Sequence, residues 1–307
     1  MKKIEKILII PTKTALLPEV DVYKRFFSAR NIDVDVAGER NKNNVSQNEY
    51  SIIWQFMGIG LHSVNSDQIL VHEYQSLSTP PFSRAKNQIK KVINRKPSIR
   101  IFQNRFIADT LKFKDNVSSF FRPMGIDTSF FPKKDVSLKK YDFVYSGAIN
   151  SSRNVLENID LISEIFPQKK ILLIGSNSNE VAKYVASHHN IYSVGKVQYS
   201  EVPRYLRQAE YGLNIVPNIF PYSTQMSTKL LEYCAVGLKI ISFPTDDAMS
   251  LEKIYGGKFL YLDRQNRNSI AKGIAKYPFK TPDVSSFLWE RIMNQVVENF
   301  RIHGIYL

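Results

Sequence analysis

Residues 224–244 form the stretch TQMSTKLLEYCAVGLKIISFP, which combines a helix start with an acidic residue inside the helix. Ser227 is a residue type that caps helices, so the N–H groups of Thr228 and Lys229 have no acceptor within the helix. A helix start of this kind binds phosphate groups. Glu232 lies one turn after Thr228, so both side chains share one face. A carboxylate there can accept hydrogen bonds from the hydroxyls of a ribose, although a glutamate inside a helix is more often a solvated surface residue.

The second half of the chain alternates apolar strand patterns with amphipathic helix patterns, which is typical of a parallel sheet with crossover helices. The predicted strands cover residues 141–147, 169–176, 190–195, 211–217 and 238–244, and the predicted helices cover 153–166, 200–209, a segment through Val181 and Val185, and the segment after Ser227. This pattern predicts a doubly wound α/β domain. Gly147, Gly175 and Gly195 end three of its strands, and ligands bind at that edge of such a sheet.

The first half has the same rhythm, with strands predicted at residues 6–11, 32–38, 51–56, 68–74 and 99–104 and helices at 20–31 and 105–113. Residues 121–140 are rich in proline and lysine and predict a linker. We therefore expect an α/β protein of two Rossmann-like doubly wound domains, 1–124 and 125–284, facing a cleft. A helix in 285–307 is expected to pack back on the first domain. Small-molecule sites favour clefts between domains.

The positive charge of the chain is concentrated in one segment. The net charge is +14, and the segment from Arg84 to Lys114 contributes ten basic residues against one acidic residue. Such a surface attracts an anionic membrane or another polyanion. Lys86, Lys90 and Lys91 are the candidates for contacting an anionic lipid or a charged acceptor. The alternative is a solvated helix face that keeps the protein soluble.

Cysteine content and hydropathy bear on the compartment. The one cysteine, Cys234, excludes an internal disulfide and fits a reducing environment. No stretch reaches the roughly 20 apolar residues that span a bilayer. We expect a cytoplasmic protein, and the basic segment adds the expectation of a peripheral position at the inner face of the cytoplasmic membrane.

Four motifs from about residue 121 to residue 244 occur in the order and spacing of a known family. They are FFRPMGIDTSFFP, VYSGAINSSRN, VGKVQYSEVPRYLRQAEYGLNIVP and STKLLEYCAVGLKIISFP. In this order they resemble a domain linker, a phosphate-binding loop, a base-recognition stretch and a donor-binding helix with its following strand. Together they resemble the GT-B glycosyltransferases, specifically the family 4-like group that uses nucleotide-activated sugars.

The resemblance implies transfer of a hexose from a nucleotide-diphosphate sugar, with UDP or GDP as the nucleotide, to a glycan or lipid-linked acceptor in surface polysaccharide synthesis. Retained anomeric configuration is implied as well. The implied donor-binding residues are Gly147, Arg153, Thr224, Gln225, Ser227, Thr228, Lys229 and Glu232, the base-binding residues are Gly195, Lys196 and Val197, and the catalytic residues are His72 with Glu73 beside it. Neither a cofactor nor a metal is implied, because Arg153, Lys229 and the helix start would neutralise the charge on the leaving diphosphate.

The chain departs from the family pattern at three points. Thr224 stands where the family often has an acidic residue, and Ala148 stands where it commonly has an arginine. The first strand is followed by no glycine-rich loop, so Lys13 or Thr14 would have to replace the phosphate contacts of that loop. These departures bear on the identity of the donor sugar more than on the class of reaction.

Two other functions remain open. A sugar-nucleotide epimerase of the same fold would bind the same donor but would need no acceptor and no basic face. A nucleic-acid-binding module is suggested by the isoelectric point of about 9.6. Such modules interleave aromatic with basic residues. Because Phe102, Phe106 and Phe113 of the basic segment have strand-core and helix-core spacing, we do not expect nucleic acid as a partner.

Overall fold

Two six-stranded sheets organise the chain, and the strands pair in parallel in both. The computed structural model describes residues 4–11, 18–37, 49–57, 64–78, 81–131, 138–149, 154–215, 226–262 and 267–307. The chain divides into two units, Met1–Gly125 with Phe287–Leu307 (unit 1) and Ile126–Ser286 (unit 2). Each unit contains one of the two sheets.

Unit 1 begins with strands β1 (Lys6–Ile10), β2 (Asp33–Val36), β3 (Ile52–Phe56), β4 (Ile69–Tyr74), β5 (Ile99–Phe102) and β6 (Ser119–Phe121), and with helices α1 (Pro18–Ser28), α2 (Ser83–Ile93) and α3 (Arg105–Leu111). The strand order is β2-β1-β3-β4-β5-β6. Every residue of β3 is buried, as expected for a central parallel strand that helices cover on both faces. The strands and helices predicted for this half are confirmed, and α2 is an addition.

The segment 121–140, predicted as a linker, starts within the sheet instead. β6 pairs with β5, which places Phe121 beside Phe102. Farther along the chain, Ile126 and Phe130 are fully buried. A strand of three residues that is soon followed by a proline is too short to show alternation, so the sequence pattern missed β6.

Unit 2 contains strands β7 (Tyr141–Ser146), β8 (Ile171–Ile174), β9 (Ile191–Gly195), β10 (Ala209–Asn214), β11 (Lys239–Ser242) and β12 (Leu260–Tyr261), and helices α4 (Val155–Ile165), α5 (Asn179–Ala186), α6 (Val202–Leu206), α7 (Thr228–Val236), α8 (Asp246–Tyr255) and α9 (Arg267–Gly273). The strand order is β12-β11-β10-β7-β8-β9. Counted within the unit, this is the doubly wound order 3-2-1-4-5-6, which reverses direction between β7 and β10. The predicted elements are confirmed; α8, α9 and β12 were not predicted.

The last helix, α10 (Trp289–Ile302), belongs to unit 1. Its buried side includes Phe300, whose ring centroid lies 5.4 Å from that of Trp54. Trp289 packs edge-on against Tyr23 at 6.2 Å. A Cβ atom at Gly125 would lie 2.2 Å from the Trp289 ring, so only glycine lets the chain pass this indole. Aromatic packing of this kind holds α10 against α1 and the first sheet.

A buried charge cluster lies in unit 1. The Arg122 guanidinium is fully buried and pairs with the Glu73 carboxylate, and its Nη2 atom lies 3.9 Å from Glu19 Oε1. Glu73 Oε2 also accepts hydrogen bonds from Trp54 Nε1 at 2.8 Å and from the Tyr23 hydroxyl at 3.2 Å. Burial raises the pKa of the Glu19 carboxyl, and the Arg122 charge opposes that shift. The Arg122–Glu73 ion pair and the side chains around it join α1, β3, β4 and the chain after β6.

We expect Arg122→Met to destabilise unit 1 by about 3–5 kcal/mol, because it leaves the Glu73 carboxylate buried without its cation. Adding Glu73→Gln removes that charge and should restore part of the loss. The sequence contains two tryptophans, Trp54 and Trp289, both in unit 1, so tryptophan fluorescence during urea unfolding reports on this unit. The control Arg301→Met breaks an exposed pair with Glu298 and should leave the urea midpoint unchanged. Equal midpoints for Arg122→Met and the wild type would contradict the account.

Candidate functional site

The site in unit 2 lies where the strand order reverses. Chain connections leave β7 and β10 in opposite directions, which opens a crevice at the carboxyl ends of these two strands. Gly147 directly follows β7, and α7 is the helix that follows β10. The described part of the stretch 224–244, from the start of α7 onward, and the glycine-ended strands therefore belong to one edge of one sheet.

Glycines bring three loops together at this edge without intervening side chains. The Gly147 N–H donates to Ile174 O at 2.9 Å, and the Gly175 N–H donates to Gly195 O at 2.8 Å. A Cβ atom at Gly175 would lie 2.3 Å from the Gly147 carbonyl oxygen, and Gly175 has φ +127°. Because a larger residue fits neither the contact nor the backbone angle, glycine is required at this position.

Helix α7 starts at the crevice, and Ser227 is its N-cap residue as predicted. Its side chain makes no capping hydrogen bond: the Ser227 hydroxyl donates to Asn214 Oδ1 at 3.1 Å, and the Ser227 N–H donates to Asp247 Oδ2 at 3.0 Å. Among the described residues, no acceptor is recorded for the N–H groups of Thr228 and Lys229. Two backbone donors at the positive end of the helix dipole therefore remain for an anion.

Lys229 adds a full positive charge at the same place. Its Nζ atom lies 3.1 Å from the Tyr145 hydroxyl and 4.3 Å from the centroid of that ring. A Cβ atom at Gly147 would lie 3.3 Å from the same ammonium nitrogen, so the cation sits beside the backbone that ends β7. The start of α7 and the end of β7 thus share one cation.

Glu232 is buried, with 6% of its surface exposed. Its Oε1 atom accepts a hydrogen bond from the Tyr199 hydroxyl at 2.9 Å. Within the described part of the chain, no donor is recorded for Oε2. Burial raises the pKa of Glu232 to about 7, while the Tyr199 hydrogen bond and the Lys229 charge oppose the rise. Glu232 is therefore not the solvated surface glutamate that was the alternative, and it keeps capacity to accept further hydrogen bonds.

The predicted base-binding residues lie at the end of β9 and directly after it. Gly195 has φ +69°, and a Cβ atom there would lie 2.0 Å from Asn177 Oδ1. The Lys196 N–H donates to that same oxygen at 2.6 Å. Val197 is half-buried, and two residues later Tyr199 reaches Glu232. The loop after β9 and helix α7 are therefore connected through a side-chain hydrogen bond.

Two side chains at the site were not predicted from the sequence. Tyr199 packs against Phe130 with centroids 5.3 Å apart, which fixes the ring that reaches Glu232. Tyr145 contacts Lys229 and donates its hydroxyl to Ala148 O at 3.1 Å. Neither tyrosine has a spacing that marks a site, because both contacts arise only when α7 packs against other elements. Arg153, Thr224 and Gln225 lie outside the described residues, as do Lys13 and Thr14.

The two predicted catalytic residues lie on β4 in unit 1 and point to opposite faces of the sheet. His72 is fully buried, and its ring centroid lies 6.3 Å from that of Tyr74. Glu73 is engaged in the buried charge cluster with Arg122, a structural role that the sequence did not suggest. The catalytic roles of His72 and Glu73 stay predictions.

The basic segment of unit 1 is more varied than its sequence suggested. On α2, Lys86 is exposed, whereas Lys90 and Lys91 are half-buried. Phe102 is buried, but Phe106 is 45% exposed, so the expectation that this phenylalanine is a core residue is wrong. The described residues contain no group of three His, Cys, Asp or Glu side chains placed to hold a metal ion. They also contain no helix long and apolar enough to cross a membrane.

Comparison with known proteins shows the fold. The chain matches no protein-family model and no curated protein. Among solved structures, HepE from Anabaena in complex with UDP and glucose is similar with a TM-score of 0.69 at 14% identity, covering 97% of this chain and 100% of that one. Sucrose-phosphate synthase from Thermosynechococcus elongatus has a TM-score of 0.70 at 13% identity, covering 97% and 98%. The chain has the GT-B fold.

Two further neighbours bear on which activity this fold carries. AviGT4, a glycosyltransferase involved in avilamycin A biosynthesis, has a TM-score of 0.66 at 11% identity, covering 97% of each chain. The UDP-GlcNAc 2-epimerase from Methanocaldococcus jannaschii has a TM-score of 0.53 at 14% identity, covering 96% of this chain and 99% of that one. Transferases and an epimerase thus share the fold. The fold therefore does not decide the activity, which has to be inferred from the residues of the site.

We expect the Glu232 carboxyl to titrate with a pKa of about 7. In Tyr199→Phe the pKa should rise further, because the hydrogen bond that favours the ionised carboxylate is lost. Carbon-13 NMR of protein labelled at the glutamate carboxyls measures this, and Glu232→Gln identifies the signal. If every glutamate carboxyl titrated below about pH 6, the burial of Glu232 would be wrong.

The raised pKa also predicts how stability depends on pH. The folded pKa of about 7 lies above the ordinary value of 4.5, so this group favours the folded state below pH 4.5, and that contribution is lost as the pH rises through 7. The difference of 2.5 units corresponds to about 3 kcal/mol. Glu232→Gln should therefore unfold at a higher temperature than the wild type at pH 8 and at about the same temperature at pH 4. Calorimetry tests this, with Glu180→Gln as the exposed control, and an equal difference at both pH values would contradict it.

Proposed function

We propose that this protein is a glycosyltransferase that moves a sugar from a nucleotide-diphosphate donor to an acceptor hydroxyl. One observation carries the proposal: the buried Glu232 carboxylate lies on the helix whose start presents the N–H groups of Thr228 and Lys229, at the reversal point of the sheet. A carboxylate suits the ribose hydroxyls, and the helix start suits the diphosphate. A nucleoside diphosphate carries ribose hydroxyls and a diphosphate next to each other, so it could contact both features of α7.

Each part of the donor has a proposed set of contacts. The diphosphate binds the start of α7, the Lys229 ammonium and Arg153, with Ser227 positioned by Asn214 and Asp247 below it. The base binds beside the loop Gly195, Lys196 and Val197, and the sugar binds beside Thr224 and Gln225. Negative charge develops on the diphosphate oxygens as the glycosidic bond breaks. The cations and the helix start stabilise that charge, so the proposed chemistry needs no metal.

The similarity to HepE, whose structures hold UDP and UDP-glucose, favours UDP over GDP as the nucleotide. We propose a hexose as the transferred group and retention of anomeric configuration, both of which rest on the resemblance of the four motifs to family 4-like enzymes.

We assign acceptor binding to unit 1 and propose His72 as its catalytic residue, with Glu73 beside it on β4 held in the buried charge cluster. The proposed acceptor is a glycan or a lipid-linked saccharide in surface polysaccharide synthesis, used in the cytoplasm at the inner face of the membrane. Lys86, Lys90 and Lys91 support an anionic acceptor or lipid, because they carry positive charge on one helix of this unit.

The second candidate is a sugar-nucleotide epimerase, favoured by the epimerase neighbour of the same fold. It would use the same contacts to UDP but would return an isomerised sugar nucleotide. Incubation with UDP-sugars without an acceptor separates the two activities, because only an epimerase changes the sugar under those conditions.

The proposal is tested by thermal unfolding in the presence of UDP, GDP, dTDP, CMP and ADP. A ligand at a hundred times its dissociation constant adds about 2.7 kcal/mol of stability. We expect a stabilising shift with UDP that is lost in Glu232→Ala and kept in Glu180→Ala, whose exposed carboxylate lies on α5. A UDP shift that survived Glu232→Ala would contradict the ribose contact, and the absence of a shift with all five nucleotides would overturn the proposed function.

A further inference from the structure

Helix α2 presents its polar side to the protein. Asn87 is the one buried residue of this helix, and its Oδ1 atom accepts a hydrogen bond from the Ser78 N–H at 3.0 Å. The partly covered residues Ser83, Lys90 and Lys91 lie three or four positions from Asn87, and therefore on the same side. An ordinary surface helix has the opposite arrangement, with its apolar stripe against the core.

The large apolar residues of α2 lie towards solvent. Ile89 and Val92, three positions apart, are 44% and 84% exposed, and Ile93 is 46% exposed. Phe82 directly precedes the helix and is 79% exposed. We call these four residues the apolar face of α2. Single exposed apolar residues are ordinary, but a stripe of them along one helix indicates a surface that something else covers.

Positive charge surrounds the apolar face of α2. Residues 82–98 contain no acidic residue and six basic ones, which are Arg84, Lys86, Lys90, Lys91, Arg95 and Lys96. On the helix, Lys86 and Lys90 flank the apolar face on one side, and Arg84 flanks it on the other. Burial lowers the pKa of Lys90, and the neighbouring Lys86 charge lowers it further. An occupant of this surface must therefore be both apolar and anionic.

An anionic bilayer surface has that combination. Apolar side chains of an interfacial helix insert below the headgroups, while lysine and arginine extend to the phosphate groups. A second copy of the chain suits the surface less well, because it would bring six basic residues against six without an acidic partner.

We propose that α2 docks unit 1 in the interface of an anionic membrane, with Phe82, Ile89 and Val92 inserted and the flanking basic side chains at the lipid phosphates. The docking stands on unit 1 alone. Its purpose, to bring the enzyme to a lipid-linked acceptor, rests on the proposed function and deepens it. Membrane attachment by insertion differs from the purely electrostatic contact that Lys86, Lys90 and Lys91 would provide, because insertion persists in salt that screens exposed charges.

The first part of the test is cosedimentation of the full chain with vesicles of equal parts phosphatidylglycerol and phosphatidylcholine, and with vesicles of phosphatidylcholine alone. We expect binding to the anionic vesicles and a loss of affinity of about tenfold or more in the double variant Ile89→Ser, Val92→Ser. Ile254→Ser on α8, which removes an apolar side chain that is 70% exposed in unit 2, is the matched control and should bind like the wild type.

The second part measures insertion directly. Tryptophan fluorescence of Val92→Trp should shift to shorter wavelength on anionic vesicles and be quenched by brominated lipid, whereas Ile254→Trp should show neither change. The buried Trp54 and Trp289 contribute the same background to both variants. Far-ultraviolet circular dichroism confirms that each variant is folded.

Three results would overturn the docking proposal: no binding to anionic vesicles, binding that the double serine variant retains in full, or vesicle binding without quenching in Val92→Trp. Loss of a concentration-dependent dimer in the double serine variant, without vesicle binding, would assign the face to a second copy instead. UDP binding measured on the same preparations depends on unit 2, so failure of the docking and failure of the proposed function are distinguishable.

Discussion

The burial of the Glu232 carboxylate is the constraint on which the candidate site depends. A carboxylate removed from water needs hydrogen bonds or opposite charge, and here the protein supplies one tyrosine hydroxyl and a lysine one turn away. The other oxygen, Oε2, can accept further hydrogen bonds. Because a buried carboxylate is higher in free energy without them, the empty site is less stable than a site that supplies donors. A ligand with adjacent hydroxyls could donate the hydrogen bonds that the protein does not. The same helix leaves two N–H groups for an anion at its start. The carboxylate and the helix start therefore suit a ligand that carries hydroxyls and a phosphate group together.

Unit 1 contains a buried carboxylate whose oxygens all have partners within the protein. Glu73 pairs with a buried arginine and accepts hydrogen bonds from an indole and a phenol, so its oxygens are occupied. Glu232, in contrast, has a weaker set of partners at the edge of its sheet. Glu73 and Glu232 thus differ more in hydrogen-bond saturation than in burial, which supports a structural role for Glu73 and the proposed binding role for Glu232.

Much of this arrangement could be predicted from the sequence, and the rest depends on contacts that no local pattern encodes. Alternation of strands and helices predicted both sheets, and the residue type of Ser227 predicted the start of α7. Glu232 was singled out by the resemblance of its motif to a known family, because a glutamate inside a helix is by itself more often a surface residue. Tyr199 was missed because it reaches Glu232 from a loop 33 residues earlier. The short strand β6 has no periodicity to reveal it. The outward apolar face of α2 was also missed, since periodicity shows that a helix has two faces but not which one the protein covers.

The most direct test of the central claim is a crystal structure of the chain with UDP. We expect the ribose hydroxyls within hydrogen-bond distance of the Glu232 carboxylate and the diphosphate at the N–H groups of Thr228 and Lys229, with the Lys229 ammonium beside it. UDP bound elsewhere in the chain, with the Glu232 carboxylate contacting Tyr199 alone, would contradict the account.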